Sequence, residues 1–599
     1  MNHLIRRLPL RLDRALLLQA ALLLIPPVTA FYLMQFILGA YFWQMSLGIV
    51  AANAICIGAV YYLLCALTGR WVISCILIHM ISGIWGAANY FVSVYRGTPV
   101  LPWDLTALGT ASAVSGSYDF TPTWQMALAI AAVLLSCVLL WRKAGSGRLA
   151  IPSRLLCVAG CLLCLIPILQ PNRLARFGVE TDVWDQTGAY RTSGALATFL
   201  RNTEFMEVEE PEDASLERLS EIMDHAGNAS IPLQTSVDHP NIIAIMNESW
   251  ADFEEFGNLE LTESVTDYIS SLDNAVWGHA YTSVFGAGTS CSEFEFLTGN
   301  SMAFLPSGSI PYQQYILKDT ASLASLLQEE GYETRAFHPG EYTSWQRNLA
   351  YPLLGFEQFK CGDDMDVPQT LEHGYVSDQS DFEQIIWEFE HKEEGQPLFL
   401  FNVTIQNHGS YTVKDYPAQV QLTDQPGEYP MAEQYLTLAN KTDEAFRTLV
   451  DYFSQCDEPT LIVMFGDHQP SVEQEFLDKA YGVTQDQMTM EQYMNKYRVP
   501  FVIWANYPLE LEGPKETSLN FLSQYVLSYS GIPTDSYGRF LWSLQSVVPA
   551  LTFVGYQDTL GAAYSHLETT DYTPFIQDYQ ALQYDRLFGG EDSYFHAQT

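Results

Sequence analysis

The sequence predicts a two-part chain. An N-terminal α-helical membrane domain of about five transmembrane helices is followed by an extracellular α/β domain with a mostly parallel central sheet and a small C-terminal subdomain. Three observations carry this reading. Long apolar stretches crowd the first 170 of the 599 residues, at 15–38, 43–67, 71–94, 124–141 and 155–169. From residue 241 the pattern changes to short strand-like runs alternating with helical ones, as in parallel sheets covered on both faces. Charge divides at the same place. Residues 1–170 carry ten Lys/Arg and three Asp/Glu, and the whole chain has a net charge of −40, which leaves about −47 on the remainder.

The first four apolar stretches are long enough to cross a hydrocarbon core of roughly 30 Å. The fifth is about 22 Å long as a helix, so a crossing there needs Arg154 to snorkel or the bilayer to thin. Arg6, Arg7, Arg11 and Arg14 precede the first stretch, Arg70 lies between the second and third, and Arg142, Lys143, Arg148 and Arg154 lie between the fourth and fifth. The opposite loops hold only Arg96. The positive-inside rule then gives a cytoplasmic N-terminus, five crossings of the cell membrane, and an extracellular remainder. The first stretch is too long for a cleaved signal peptide and is followed by further spans. The acidic remainder argues against nucleic acid as a partner, and an anionic substrate would need a locally positive pocket.

Seven of the ten cysteines (Cys56, Cys65, Cys75, Cys137, Cys157, Cys161 and Cys164) fall in the apolar stretches as small apolar residues. Cys291, Cys361 and Cys456 remain, and no disulfide framework is implied. His79, inside the third stretch, reads as structural. The loop RGTPVLPWDL (96–105) falls outside the membrane in this topology and has no assigned mechanism.

The expected boundaries are a transmembrane domain over 1–170, juxtamembrane helices and linker over 171–238, the α/β domain over 239–530 and the C-terminal subdomain over 531–599. Residues 184–202 read as one helix near the membrane, followed by an acidic connector at 207–219. Strands are expected at 242–246, 334–337, 398–405, 461–465 and 499–505. A helix is expected over 322–331, with Gly331 ending it. An apolar stretch at 540–551 precedes a Tyr-rich end.

Open α/β sheets bind ligands beyond the carboxyl ends of their strands. Three apolar runs, 241–248, 282–290 and 460–468, each read as a buried strand emptying into a loop. Those loops deliver Glu248, Thr289, and the pair Asp467 and His468. Carboxylates, a hydroxyl and an imidazole at strand exits are what a divalent-metal phosphoryl-transfer site requires, and mixed O/N ligation suits Mn2+ or Zn2+. Thr289 lies in G-A-G-T-S-C-S-E-F-E-F (286–296), at or just before a helix N-terminus, where free N–H groups favour phosphate oxygens. A hydroxyl there is either an N-cap or, with a metal beside it, a nucleophile. Glu248 and the Asp467-His468 pair each read equally well as turn residues facing water; the three together, each after a strand, favour a site. Two further strand exits place His338, Trp345 and Arg347 (within 332–348) and His408 (within 402–411). Histidines there serve as general acids or hydrogen-bond donors and an arginine as a phosphoryl clamp, or a lone histidine is a satisfied structural residue.

Behind five spans, the motifs N-E-S, G-x-G-T-S-x-S-E-F, F-H-x-G-x-x-x-x-W-x-R, N-H and G-D-H resemble the lipoteichoic acid synthase family. Its members are polytopic phosphoglycerol transferases of the sulfatase/alkaline-phosphatase superfamily. The resemblance is close over about 240–510 and loose over the membrane region. It implies a sulfatase-like catalytic domain and an Mn2+-dependent ectoenzyme, with Zn2+ or Mg2+ as alternative cofactors. The metal would be held by Glu248, Thr289, Asp467 and His468, with Thr289 as nucleophile and His338, Trp345, Arg347 and His408 in the substrate pocket. The implied reaction moves glycerophosphate from phosphatidylglycerol or a similar lipid donor to a cell-envelope glycolipid or polymer acceptor through a phospho-threonine, His408 protonating the leaving oxygen. The pattern departs at Gly340, where the family often carries Asn. No C-x-P-x-R follows at Cys291, which argues against formylglycine chemistry. Phosphoethanolamine transfer, a hydrolase with water as acceptor, and a non-catalytic envelope scaffold are the alternatives. Phosphoethanolamine transferases usually carry several ectodomain disulfides, which three cysteines do not match.

Overall fold

The computed structural model describes residues 14–40, 43, 45–96, 99–105, 120–144, 148–168, 170, 173–180, 186–203, 208–226, 231–510, 513–590 and 593–595. Arg6, Arg7 and Arg11 of the N-terminal basic cluster and residues 97 and 98 of the 96–105 loop lie outside them. The chain forms two compact units, one of residues 1–104 with 120–207, the other of 105–119 with 208–599.

In the first unit, helices Arg14–Ile37, Leu47–Thr68, Trp71–Arg96, Trp124–Ala144 and Ile151–Ile168 occupy the five apolar stretches. Two of them, Leu47–Thr68 and the Trp71–Val94 part of the next, are long and apolar enough to cross a membrane; Leu23–Ile37, Trp124–Ser136 and Ile151–Ile166 are shorter apolar segments. The fifth helix starts earlier than the sequence suggests and has 18 residues, about 27 Å at 1.5 Å per residue. Arg154 bonds through Nε to the Ala66 carbonyl at 2.8 Å and through Nη2 to that of Leu67 at 3.3 Å. These are among the last carbonyls of Leu47–Thr68, where a cation meets the negative end of the helix dipole. Gly58 faces Cys164 and Gly160 faces Tyr62. Residue numbers that rise along one helix therefore fall along the other, so the second and fifth helices pack antiparallel.

The segment 184–202 is two helices, Gln186–Ser193 and Ala195–Asn202, rather than one. Gly194 breaks them at φ 92°. The buried Asn53 of the second helix closes the gap, donating to the Ser193 carbonyl at 2.9 Å and accepting from the Ala197 N–H at 3.1 Å. His79 is satisfied locally, with Nδ1 2.8 Å from the Cys75 carbonyl and Nε2 3.0 Å from Thr29 Oγ1.

Among the described residues, the second unit holds an eight-stranded sheet and two small ones. Its strands are β1 (Asn241–Asn247), β2 (Ala275–Tyr281), β3 (Glu333–His338), β4 (Gln358–Cys361), β5 (Leu371–Glu372), β6 (Tyr375–Val376), β7 (Leu398–Val403), β8 (Thr460–Gly466), β9 (Arg498–Ala505), β10 (Glu516–Ser518), β11 (Ala550–Leu551), β12 (Tyr556–Gln557) and β13 (Ala563–Tyr564). The large sheet runs β10-β2-β9-β8-β1-β7-β3-β4. Only β9 is antiparallel to its neighbours; the other pairs are parallel. β1, β7 and β8 are buried along their whole length, as central strands with both faces covered must be. Ile242, Ala244 and Met246 of β1 join one core with Phe296, Phe401 and Phe465. Ile243 and Ile245 join the other, with Phe382, Phe446 and Leu449, following the two-residue alternation of a strand.

One strand expectation is corrected. Residues 282–290 are not a strand: β2 ends at Tyr281, and the segment after it is the loop leading into helix Thr289–Thr298. Its Val and Phe imitate a strand, but Gly286 and Gly288 take φ 70° and 105°, which an extended chain does not use. Helix Leu323–Glu329 forms as expected, with Ser322 capping its start and Gly331 at φ 88° just past its end. Beyond the sheet, helices Leu519–Ser530, Ser536–Gln545 and Thr573–Phe588 and the β11–β13 sheet complete the unit. Phe521, Leu541 and Tyr579 share a core there with Leu219 and Ile222 of helix Leu216–Ala226.

Candidate active site

β8, β1, β7 and β3 are parallel neighbours, so their carboxyl ends lie along one edge of the sheet. That edge receives Asp467 and His468 after β8, Glu248 after β1, His408 in the loop after β7, and His338 as the last residue of β3. β2 runs the same way and leads through the 282–288 loop to Thr289, the first residue of its helix. Gly288 makes no side-chain cap, and Thr289 stands inside the helix rather than capping it. The first N–H groups of such a helix have no intrahelical partner.

Glu248, Asp467 and His468 are the one group of three such ligands brought together among the described residues; one ligand atom from each lies within 4.8 Å of the others. Thr289 Oγ1 lies 3.5 Å from Glu248 Oε2. Asp467 Oδ1 accepts from the N–H groups of Ser249 (2.7 Å) and His468 (2.8 Å), while Oδ2 has no hydrogen-bond partner. His468 Nδ1 faces the Gln469 carbonyl at 3.0 Å, so the proton sits on Nδ1 and the lone pair on Nε2. That nitrogen also lacks a hydrogen-bond partner, although Asp467 Oδ2 is 3.3 Å away. All four side chains are buried. Burial, and then the charge of Asp467, push the Glu248 carboxyl up to about 8. Two buried acids, an imidazole lone pair and two orphaned polar atoms fit a divalent cation with mixed O/N ligation. Ser249, between two of these elements, has φ 52°, a backbone cost of the kind that collects at functional sites.

His338 is held by Nδ1 against the Val403 carbonyl at 2.8 Å, which leaves its Nε2 lone pair free. A Cβ at Gly340 would collide with that nitrogen, so glycine at this position keeps it open. Burial, then the charge of Arg347, hold His338 well below the usual histidine range. His408 is half-buried with Nδ1 2.7 Å from the Gly409 carbonyl, and burial also lowers it. Trp345 packs half-buried against the core on one face of the sheet, at φ 56°, and Gln346 follows at φ 62°. These two left-handed residues turn the chain so that Arg347 can begin its helix.

Arg347 is engaged in a way the sequence did not suggest. Its Nη2 and Nε bond Glu293 at 2.5 and 3.0 Å, and Tyr351 adds a third donor to that carboxylate at 2.7 Å. Nη1 is left buried without a partner. Glu293 thus fixes the guanidinium and leaves the Nη1 N–H pair unused. Glu295, two residues on, binds Ser283 Oγ, Ser301 Oγ and the Met302 N–H. It pins the loop entering Thr289, and burial pushes it up to about 7. The readable signal for both was two acids in a helix whose other residues pack inward on every side.

This is the fold of the sulfatase/alkaline phosphatase superfamily. The sulfatase family model matches residues 240–523. The solved phosphoglycerol transferase GacH of Streptococcus pyogenes, in complex with sn-glycerol-1-phosphate, matches with a TM-score of 0.53 at 18% identity, over 65% of this chain and 98% of that one. A Rhizobium meliloti protein named for cyclic β-1,2-glucan modification is 30% identical over 487 residues, 77% of this chain and 73% of its own length. The lipoteichoic acid synthase of Staphylococcus saprophyticus is 28% identical over 240 residues, 38% of this chain and 35% of its own. Within the superfamily, the chain belongs to the lipoteichoic acid synthase-like sulfatases.

Proposed function

We propose that the chain is a membrane-anchored, metal-dependent phosphoglycerol transferase working at the outer face of the cell membrane. The observation that carries this reading is the Thr289 hydroxyl at a helix N-terminus, 3.5 Å from one acid of a buried Glu248–Asp467–His468 cluster. A divalent cation such as Mn2+ on that cluster would supply Lewis-acid charge and ease ionisation of the neighbouring hydroxyl.

Thr289 Oγ1, its proton given up to solvent, attacks the phosphorus of phosphatidylglycerol in line. The Oγ–P bond forms as the bond to the diacylglycerol oxygen breaks, and His408, neutral at rest because burial lowers it, takes a proton from solvent on Nε2 and passes it to that oxygen. Arg347 Nη1 and the first N–H groups of helix Thr289–Thr298 hold the phosphoryl oxygens as charge shifts onto them. His338, neutral with its Nε2 lone pair exposed, accepts a hydrogen bond from a hydroxyl of the glycerol. An acceptor hydroxyl then takes the group from phospho-Thr289, losing its proton to His408. The Rhizobium relative is named for modifying a cyclic glucan, which favours a carbohydrate hydroxyl as acceptor.

Five crossings with the N-terminus inside put the second unit where the donor headgroup lies. The antiparallel packing of the second and fifth helices and the 18-residue length of the fifth support that topology. Domain boundaries at about 170, 238 and 530 remain part of the reading.

The test is the intact mass of detergent-purified protein after incubation with Mn2+ and phosphatidylglycerol. Parallel samples contain phosphatidylethanolamine or the Thr289→Ala variant. A glycerophosphate adduct on the wild type alone is expected. An adduct only with phosphatidylethanolamine would overturn the donor, and neither an adduct nor diacylglycerol from any lipid would overturn the enzyme.

A further inference from the structure

The N-E-S and N-H motifs each place an asparagine directly before a side chain of the site, Glu248 or His408, and the transfer mechanism gives these asparagines nothing to do. The fold ties them to one another. Asn407 Nδ2 donates to Asn247 Oδ1 and to Thr442 Oγ1, both at 3.0 Å. Asn247 Nδ2 donates to Asp378 Oδ2 at 3.0 Å, and Thr442 donates to the same oxygen at 2.6 Å. The Asp378 N–H in turn donates to Gln406 Oε1 at 3.0 Å. A second thread leaves Asn247 through its backbone, whose carbonyl accepts from the Asp467 N–H at 3.3 Å.

Every member of this network is buried. Asp467 joins it through its backbone alone, and Asp378 is the one ionisable residue that joins it through its side chain. Among the described residues no Lys or Arg pairs with it. A buried carboxylate without a cation is costly, and here burial raises the carboxyl to about 6 despite the donors from Thr442 and Asn247. An apolar residue would fill the space between helices Asp378–Glu390 and Pro430–Phe453 without that cost. A carboxylate does one thing it could not: it accepts two donors on one oxygen, which fixes the Asn247 amide so that its Oδ1 meets Asn407.

We propose that Asp378 is a positioning residue: through Asn247, Asn407 and Thr442 it locks the exits of β1 and β7 to each other, so that Glu248 and His408 face one reacting centre. This rests on the reading of Glu248, Asp467 and His468 as metal ligands. The network joins four elements 28 to 160 residues apart in sequence, so each exit is held by the fold rather than by its own loop. Outer partners of this kind typically set metal affinity or activity by about 10–100-fold.

The test uses full-length protein in detergent, with Mn2+ binding read by titration and diacylglycerol release read across pH. Asp378→Val, which removes the acceptor, is expected to weaken Mn2+ about 10–100-fold with the melting curve still cooperative. Asp378→Asn, whose amide oxygen can still accept both donors, is expected to bind Mn2+ nearly as the wild type does. Asn407→Leu cuts the link to β7 alone; it is expected to spare Mn2+ binding, lower kcat and shift the pH profile of diacylglycerol release. Unchanged Mn2+ affinity in a folded Asp378→Val protein would overturn the proposal. If that variant does not fold, an unchanged pH profile in Asn407→Leu overturns it instead. A wild-type protein that binds no Mn2+ would overturn the metal reading itself, which separates the two failures.

Discussion

A carboxylate buried beside a second acid is stable in two ways, protonated or paired with a cation, and Glu248 is placed for the second. Because burial and Asp467 raise it to about 8, a cation arriving below that pH must displace a proton. Mn2+ affinity should therefore fall as pH falls from 8 to 6.5, by up to about tenfold per unit, with release of about one proton on binding. Titration calorimetry in buffers of different ionisation enthalpy checks both. The sign for stability follows from the same shift. The folded metal-free protein binds more protons here than the unfolded chain, whose glutamate titrates near 4.5, so it gains stability as pH is lowered through 8. Below about 6.5, His338 and His408 oppose this, since both are lowered in the fold and the unfolded chain takes up the protons instead. The increment in Tm given by Mn2+ should accordingly shrink between pH 8 and 6.5. A second residue-scale expectation concerns Glu293. Removing it as Glu293→Ala leaves the Arg347 guanidinium buried and unpaired, at a cost of about 3–5 kcal/mol. The double variant Glu293→Gln/Arg347→Met should melt above Glu293→Ala, because no lone charge remains. Glu248, Thr289, Asp467 and His468 were readable because each stands at or beyond the end of a strand, next to glycine or a strongly apolar run. Glu293 was not, because its partner lies 54 residues away, and no local pattern marks a pair closed by tertiary packing.

Elements show the same division between local and distant causes. β1, β7 and β8 were legible as continuous runs of Ile, Leu, Val and Phe, since strands buried on both faces need nothing else. β2 was not, because Ala275–Tyr281 is interrupted by Gly278 and His279. The structure supplies the reason for Gly278: a Cβ there would stand 2.8 Å from the Lys515 carbonyl oxygen, where the chain approaches the strand closely. The loop after β2 carries the strand-like residues in its place, and its two left-handed glycines are what deliver Thr289. Gly288 is the sharper case, since a Cβ would also come within 2.9 Å of Val284 Cγ1. Gly288→Ala forces a left-handed conformation on an L-residue, at about 1–2 kcal/mol, in addition to that contact. Turnover should drop by at least about tenfold, since small misplacement of a nucleophile is costly. Mn2+ binding through Glu248, Asp467 and His468 should persist, because none of these residues stands on the displaced loop. Kinetics and metal titration on one preparation separate the two effects.

At the scale of the whole molecule, the fifth apolar helix decides what the enzyme can reach. If the chain crosses four times, residues 208–599 lie in the cytoplasm; with five crossings they lie outside, where no nucleotide energy source is at hand and the transferred group must arrive on an activated lipid. Composition leaves this open, since the fifth apolar stretch is short. Packing supports the proposed five: Ile151–Ile168 runs antiparallel to Leu47–Thr68, the more buried of the two candidate spans, and Arg154 sits on the terminal carbonyls of that partner. A basic residue at that end fits the proposed five-crossing topology, in which Arg70, Arg148 and the N-terminal arginines would lie in the cytoplasm. A periplasmic-type phosphatase reporter fused after Arg148 should then be inactive, and the same reporter fused after Gly178 active. A fluorescent protein that matures only in the cytoplasm should give the reverse pattern. Reporter inactivity at both positions would mean that Ile151–Ile168 lies on the membrane rather than through it. A lipid donor in the outer leaflet would then be out of reach of Thr289, and the donor would have to be sought among cytoplasmic phosphodiesters.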